Sequence, residues 1–333
     1  MEQAAKERSG MIDVLRLVFA ISVVMVHTSA LLSLGEGAWV VTSLGLSRIA
    51  VPFFFVVSGY FYFKNCKNTN EPKKTLKRLI KLYFKWMSIE LLILFPGFIF
   101  IVKENPFQIV RMLLFVGVTG SLWYVISLFY AIAISGYFFK KDKLITLIII
   151  GVLLYLFGVT GDAYGGFFQN TFLENVINRY KYIVGMPQAG ITTSLLFVTI
   201  GALIYKYNLK DKIKKAGVLS LLGIGLLLVE AFTLYYNKIS LDYNMYLSLV
   251  IVAPIIFIWA LNSKLKVKEN TMKLCRELSI GIYCSHQIIM LIIITLVPAI
   301  GKNTVLEFIL TLIGATLLAL TLRKFKYTRN LVN

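Results

Sequence analysis

Apolar residues fall in runs of about 20 separated by short polar or basic segments, the pattern of membrane-spanning helices. Ten runs stand out: 13–32, 45–63, 82–102, 120–139, 144–161, 190–206, 216–235, 244–262, 279–299 and 303–322. Lipid offers the backbone no hydrogen-bond partner, and the runs lack the alternation of a barrel strand, so they are expected to be helices. No low-complexity tract, internal repeat or domain boundary is visible. The expectation is therefore an all-α integral membrane protein, one polytopic domain over 1–333 forming a single bundle of about ten transmembrane helices. Two connections break the rhythm. Residues 104–119 open at Asn105-Pro106 and are apolar afterwards, which fits a re-entrant or interfacial piece. Residues 161–189, the longest connection, carry Gly161, Gly165, Gly166, Asp162, Glu174, Arg179 and Tyr180 and are a candidate lid over an outward-facing acceptor site.

Composition agrees. Of the 333 residues 58% are hydrophobic and 15% charged, and the mean hydropathy of +0.77 excludes a soluble enzyme. A net charge of +19 would suggest nucleic acid in a soluble protein. Here the cations cluster between apolar runs, so they read as topology signals and anionic-lipid contacts, with no nucleic-acid partner expected. With the N-terminus inside, the cytoplasmic segments hold 27 Lys and Arg and the opposite face six: Lys103, Arg111, Arg179, Lys181, Lys238 and Lys302. That split places both termini in the cytoplasm of a multi-pass protein of the bacterial cytoplasmic membrane. Cys66, Cys275 and Cys284 offer neither metal-ligand nor disulfide spacing, and no metal is expected. Lys6 and Arg8 before an apolar run imitate a signal peptide, but Arg16, His27 and the lack of a convincing cleavage site mark a retained first span.

The candidate chemistry lies within these spans. Arg16 and His27 are 11 residues apart, about 20° past three helical turns, so they share a helix face at roughly 16 Å along the axis. They mark the two ends of a channel, or a snorkelling arginine and a packing histidine. Arg48 opens the second span at a depth similar to His27 and needs carbonyls, a carboxylate or a polar cavity. Pro52 is expected to kink that span, and Ser58 and Gly59 lie toward its cytoplasmic end. Lys77, Arg78 and Lys81 occupy neighbouring helical positions at the start of the third span, suited to the phosphates of a nucleotide cofactor or to lipid phosphates. Glu90 and Glu230 are the acids least at home in lipid, able to orient a histidine, pair with Arg48 or face water. Trp123 and Tyr124 begin the fourth span as an aromatic belt. Tyr283 and His286 open the ninth, with His286 about two turns in, shallower than His27.

These elements resemble the membrane acyltransferase family 3: Asp13-x-Leu15-Arg16 followed by ten residues and then His27, Val-Pro-Phe-Phe-Phe-x-x-Ser-Gly-Tyr, a basic Arg-x-x-Lys, Leu-Trp-Tyr and Ser-x-Gly-Ile-Tyr-x-x-His. More loosely, the chain is similar to the membrane half of the membrane-bound serine racemases of vancomycin-resistance clusters. The first resemblance implies an O-acyltransferase using acetyl-CoA to modify an extracytoplasmic acceptor, a cell-envelope sugar or related hydroxyl compound. It makes His27 the essential histidine, places Arg16 in the first motif and puts Arg78 and Lys81 in the second. Lys81 departs from the arginine common at its position, which loses bidentate phosphate recognition and keeps the charge.

The expected machinery is then His27 as general base or transient acetyl carrier, with Arg48 on the thioester oxyanion or the acceptor. Arg16, Lys77, Arg78, Lys81, Ser58, Tyr283 and His286 are expected on the donor, and Glu90, Trp123 and Tyr124 on the acceptor. The pantetheine arm, roughly 15 Å extended, matches the Arg16–His27 spacing. Partners left open are membrane lipids, a second copy of the chain and a soluble domain following the tenth span. The rival reading is a transporter of a small polar solute such as serine.

Overall fold

A computed structural model describes residues 9–66, 71–104 and 107–332. Lys6, Arg8, Lys67 and Asn105-Pro106 lie outside the described residues. The protein is 79% helix with no strand among the described residues. Six of the described helices are long and apolar enough to cross a membrane, and Phe107–Val116, Leu144–Val159, Ser194–Lys206 and Leu249–Asn262 are shorter apolar helices.

The chain folds as two compact units interleaved in sequence. The first comprises Met1–Phe54, Tyr207–Ala231 and Ser248–Asn333. Its helices are α1 (Gly10–His27), the opening of α2 (Glu36–Asn65), most of a helix over Ala216–Tyr236, and three more at Leu249–Asn262, Glu269–Leu296 and Thr304–Lys324. The Glu269–Leu296 helix packs against both α1 and Thr304–Lys324. Apolar side chains gain little from leaving lipid for one another, so dispersion and close approach must hold such helices. Gly281 supplies that approach: a Cβ there would lie 2.5 Å from Cβ of Ala319. Phe19, Phe53 and Phe257 interlock in the same unit, with centroids 4.8 Å apart for Phe19–Phe53 and 6.1 Å for Phe53–Phe257.

The second unit comprises Phe55–Lys206 and Phe232–Leu247. Glu71–Glu104 is one 34-residue helix, and the basic segment expected at the start of the third span forms its first turns. Gly59 and Gly201 let α2 and Ser194–Lys206 touch backbone to backbone: a Cβ on Gly59 would meet the Val198 carbonyl oxygen at 2.2 Å.

The long connection is built, not loose. Asp162 is buried and its carboxylate accepts from the amides of Asn244 (2.7 Å) and Met245 (2.8 Å) and from the Asn244 side chain (3.1 Å). Phe172–Val184 is an amphipathic helix closed by a capping box, in which Thr171 Oγ1 accepts from Glu174 N and the Glu174 carboxylate accepts from Asn170 N. Tyr180 donates to the Ala189 carbonyl at 2.6 Å and ties the helix to the next turn. Within the segment read as re-entrant or interfacial, Phe107–Val116 is a short apolar helix.

Candidate active site at the end of the first helix

The first helix stops five residues before the expected end of its span. Ser29 takes φ of 47° and the Ala30 amide reaches back to the Met25 carbonyl at 2.9 Å, a Schellman turn that leaves His27 in the final helical turn. The hydroxyl of Ser43 reaches carbonyls on both sides of this turn, Met25 (3.0 Å) and Ala30 (3.1 Å). Ser43 belongs to a π-helical stretch of α2, Val40–Gly45, followed by a 3-10 turn, Leu46–Ile49. The sequence predicted a kink at Pro52. The irregular winding lies upstream, because Pro52 has no N–H for the carbonyl four residues before it and its ring crowds that carbonyl. The Ser43 carbonyl accepts from Arg48 Nε at 3.0 Å. Arg48 is thus linked through one residue to the turn presenting His27, close enough to act on the imidazole electrostatically.

His286 is not shallower than His27. The Glu269–Leu296 helix begins ten residues earlier than hydropathy suggested, because its charged first turns continue the helix, and His286 is about 25 Å along it. The His27 and His286 rings lie 4.9 Å apart between centroids, tilted by 45°. His286 is fully buried, and its Nδ1 is 2.6 Å from the Tyr283 carbonyl oxygen. His27 is exposed at the end of its helix, in contrast to the buried His286.

The other ends of the same two helices are joined by charge. Asp13 is fully buried; its carboxylate receives Arg276 Nη1 at 2.7 Å and has Arg16 Nη1 at 3.7 Å. The neighbouring Glu277, also buried, is held by Arg323 and, at 2.9 Å, by Arg329. Arg276, Arg323 and Arg329 read as topology signals in the sequence, and nothing in hydropathy paired them with buried acids. Asp13 was legible only as part of the motif containing Arg16.

In the second unit, three predicted residues come together. Tyr124 packs on Phe55 with centroids 4.8 Å apart, Trp123 on Phe55 at 6.2 Å, and Tyr124 Oη lies 3.5 Å from Ser58 Oγ. Trp123 is buried against the protein and is not an exposed belt residue. Lys77, Arg78 and Lys81 are exposed on the first turns of Glu71–Glu104. Glu90 has another partner than a histidine or Arg48. Both its oxygens bind the turn before Trp123, accepting from the amides of Val118 (2.9 Å) and Thr119 (3.1 Å) and the Thr119 hydroxyl (2.7 Å). Glu230 accepts the Ser248 amide at 2.8 Å.

The family model described as an acyltransferase domain, Acyl_transf_3, matches residues 10–324. The chain belongs to that family. It is also similar to an "amino-acid racemase" of Enterococcus faecalis, 27% identical over 96% of this chain and 47% of the relative. A "serine/alanine racemase" of Enterococcus gallinarum is 28% identical over 83% of this chain and 40% of the relative. The chain therefore spans less than half the length of these curated relatives. No solved structure matches. Helices and family together make this a multi-pass membrane protein of an acyltransferase family.

Proposed function

We propose that the protein is a transmembrane O-acyltransferase carrying an acetyl group from cytoplasmic acetyl-CoA to an extracytoplasmic hydroxyl, on a cell-envelope sugar or related compound. In this reading it crosses a bacterial cytoplasmic membrane ten times with both termini inside. One observation carries the proposal. An exposed histidine at the end of one helix lies beside a buried one on its neighbour, and Arg16 and Arg276 stand on the same two helices 11 and 10 residues away, or roughly 15–16 Å. A pantetheine arm spans that distance, so phosphates held by cations leave the thioester at His27.

His27 removes the proton of the acceptor hydroxyl as its oxygen attacks the thioester carbon. That attack forms the ester C–O bond and an oxyanion; collapse restores the carbonyl, breaks C–S and returns the proton from His27 to the departing CoA sulfur. The alternative order, with the acetyl group first on a His27 nitrogen, uses the same residues. Arg48 offers a guanidinium to the developing oxyanion. Lys77, Arg78 and Lys81 attract the donor phosphates, and the Phe55, Trp123 and Tyr124 cluster beside Ser58 suits the apolar face of a sugar ring.

The racemase names of the relatives favour a second reading, a membrane domain that moves serine or alanine for a soluble partner domain. The test is purified protein in detergent with acetyl-CoA and a panel of envelope sugars and amino acids, read as free thiol and acetylated product, beside serine uptake into proteoliposomes. Acyltransfer predicts thiol release that depends on a hydroxyl acceptor. Serine uptake with no thiol release under any acceptor contradicts it.

A further inference from the structure

We infer that His286 is a positioning residue which accepts a ring N–H from His27 and so holds His27 in the tautomer that can act as a base; its chemical purpose rests on the acyltransferase reading. A carbonyl oxygen can only accept, so the 2.6 Å contact with Tyr283 puts the His286 proton on Nδ1. A neutral imidazole has one N–H, which makes Nε2 an acceptor. That Nε2 is buried and has no hydrogen-bond partner among the described residues. A buried acceptor without a donor is costly, and the nearby His27 ring offers one. Two imidazoles joined by one hydrogen bond of about 2.8–3.0 Å have centroids near the observed 4.9 Å. A turn of the accessible His27 ring completes the bond.

The consequence for acyl transfer is specific. With one His27 nitrogen donating to His286, the other has no proton and can take that of the acceptor hydroxyl. As His27 gains it, its N–H toward His286 becomes a stronger donor, and Nδ1–H of His286 passes part of the charge to the Tyr283 carbonyl. The proton then leaves with the CoA thiol, and His286 keeps its own throughout. The arrangement does with a neutral imidazole what the aspartate does in a Ser-His-Asp triad.

The chain contains two histidines, so 15N-histidine labelling gives four ring-nitrogen signals, readable with or without catalysis. His286 should show a protonated Nδ1 and a bare Nε2, and His27→Ala should move the Nε2 signal while leaving that tautomer unchanged. A proton on Nε2 of His286, or signals indifferent to His27→Ala, would overturn the inference. In turnover, His286→Leu should lower kcat on the order of 100-fold with KM for acetyl-CoA unchanged. His286→Gln, whose amide oxygen can stand near the Nε2 position, should recover much of the loss. A raised KM at intact kcat would instead place His286 on the donor and reject the positioning role. If His286→Leu does not fold, His286→Gln and the spectra decide. Absence of acetyl transfer in the parent removes the acyltransferase reading and leaves the tautomer result standing.

Discussion

The buried pair that anchors the first helix allows a quantitative test. Asp13 is fully buried, whereas the Arg276 and Arg16 side chains are 30% and 21% exposed. Two unit charges about 4 Å apart at an effective dielectric of about 20 attract by about 4 kcal/mol. Partial solvation of Arg276 and the cost of burying the carboxylate reduce this to about 1–3 kcal/mol net. Arg276→Met takes from the buried carboxylate its partner at 2.7 Å and should cost about 2–3 kcal/mol, or about 3–4 °C in Tm for a chain of this length. Asp13→Asn removes the buried charge together with the attraction and should cost about 1 kcal/mol. The double variant should then resemble Asp13→Asn alone, a coupling equal to the Arg276→Met loss, about 2–3 kcal/mol. Thermal unfolding in detergent at one heating rate, followed by the fluorescence of the four tryptophans, measures all three. Additive losses, or an Arg276→Met protein as stable as its parent, would refute the pairing as the anchor.

Three further outcomes follow from the same structure. Gly59→Ala sets a Cβ 2.2 Å from the Val198 carbonyl oxygen and should destabilise by about 1–3 kcal/mol, whereas Gly225→Ala, with open space around it, should be neutral in the same melt. Arg78→Ala should weaken acetyl-CoA binding more at low than at high salt, and calorimetry showing an affinity loss independent of salt would contradict a charge-based donor contact. In intact cells an impermeant maleimide should label an introduced cysteine at exposed Lys302 and spare one at exposed Lys143, the reverse pattern inverting the topology. Cys66 is a poor reporter of sidedness, because partial burial pushes its thiol pKa up and slows labelling on either side.

Much of the helix content was legible because a spanning helix must be apolar for most of its length, whatever it packs against. The boundaries were less so where a helix continues beyond its apolar part. Charged first turns at 71–81 and 269–278 fall below any hydropathy window yet are helical, and missing the second placed His286 too shallow. Helix Phe172–Val184 lay inside a supposed lid, although Thr171 with Glu174 spelled a capping box. The Arg16–His27 stripe followed from helical geometry alone. The contacts of Asp13 with Arg276, and of Ser43 with both Arg48 and the first helix, join residues distant in sequence by tertiary packing. Glu90 shows the opposite limit: an acid in an apolar run suggested chemistry, whereas its neighbours use it to fix a turn.

The central claim is that His27 performs acetyl transfer while the donor is held elsewhere. Acetyl release and CoA binding measured on one preparation of folded His27→Ala protein test it most directly. The account predicts no acetyl transfer with CoA affinity nearly unchanged, because the phosphates are held some 16 Å away at the far end of the helix. Full acetyl-transfer activity in that variant would contradict it.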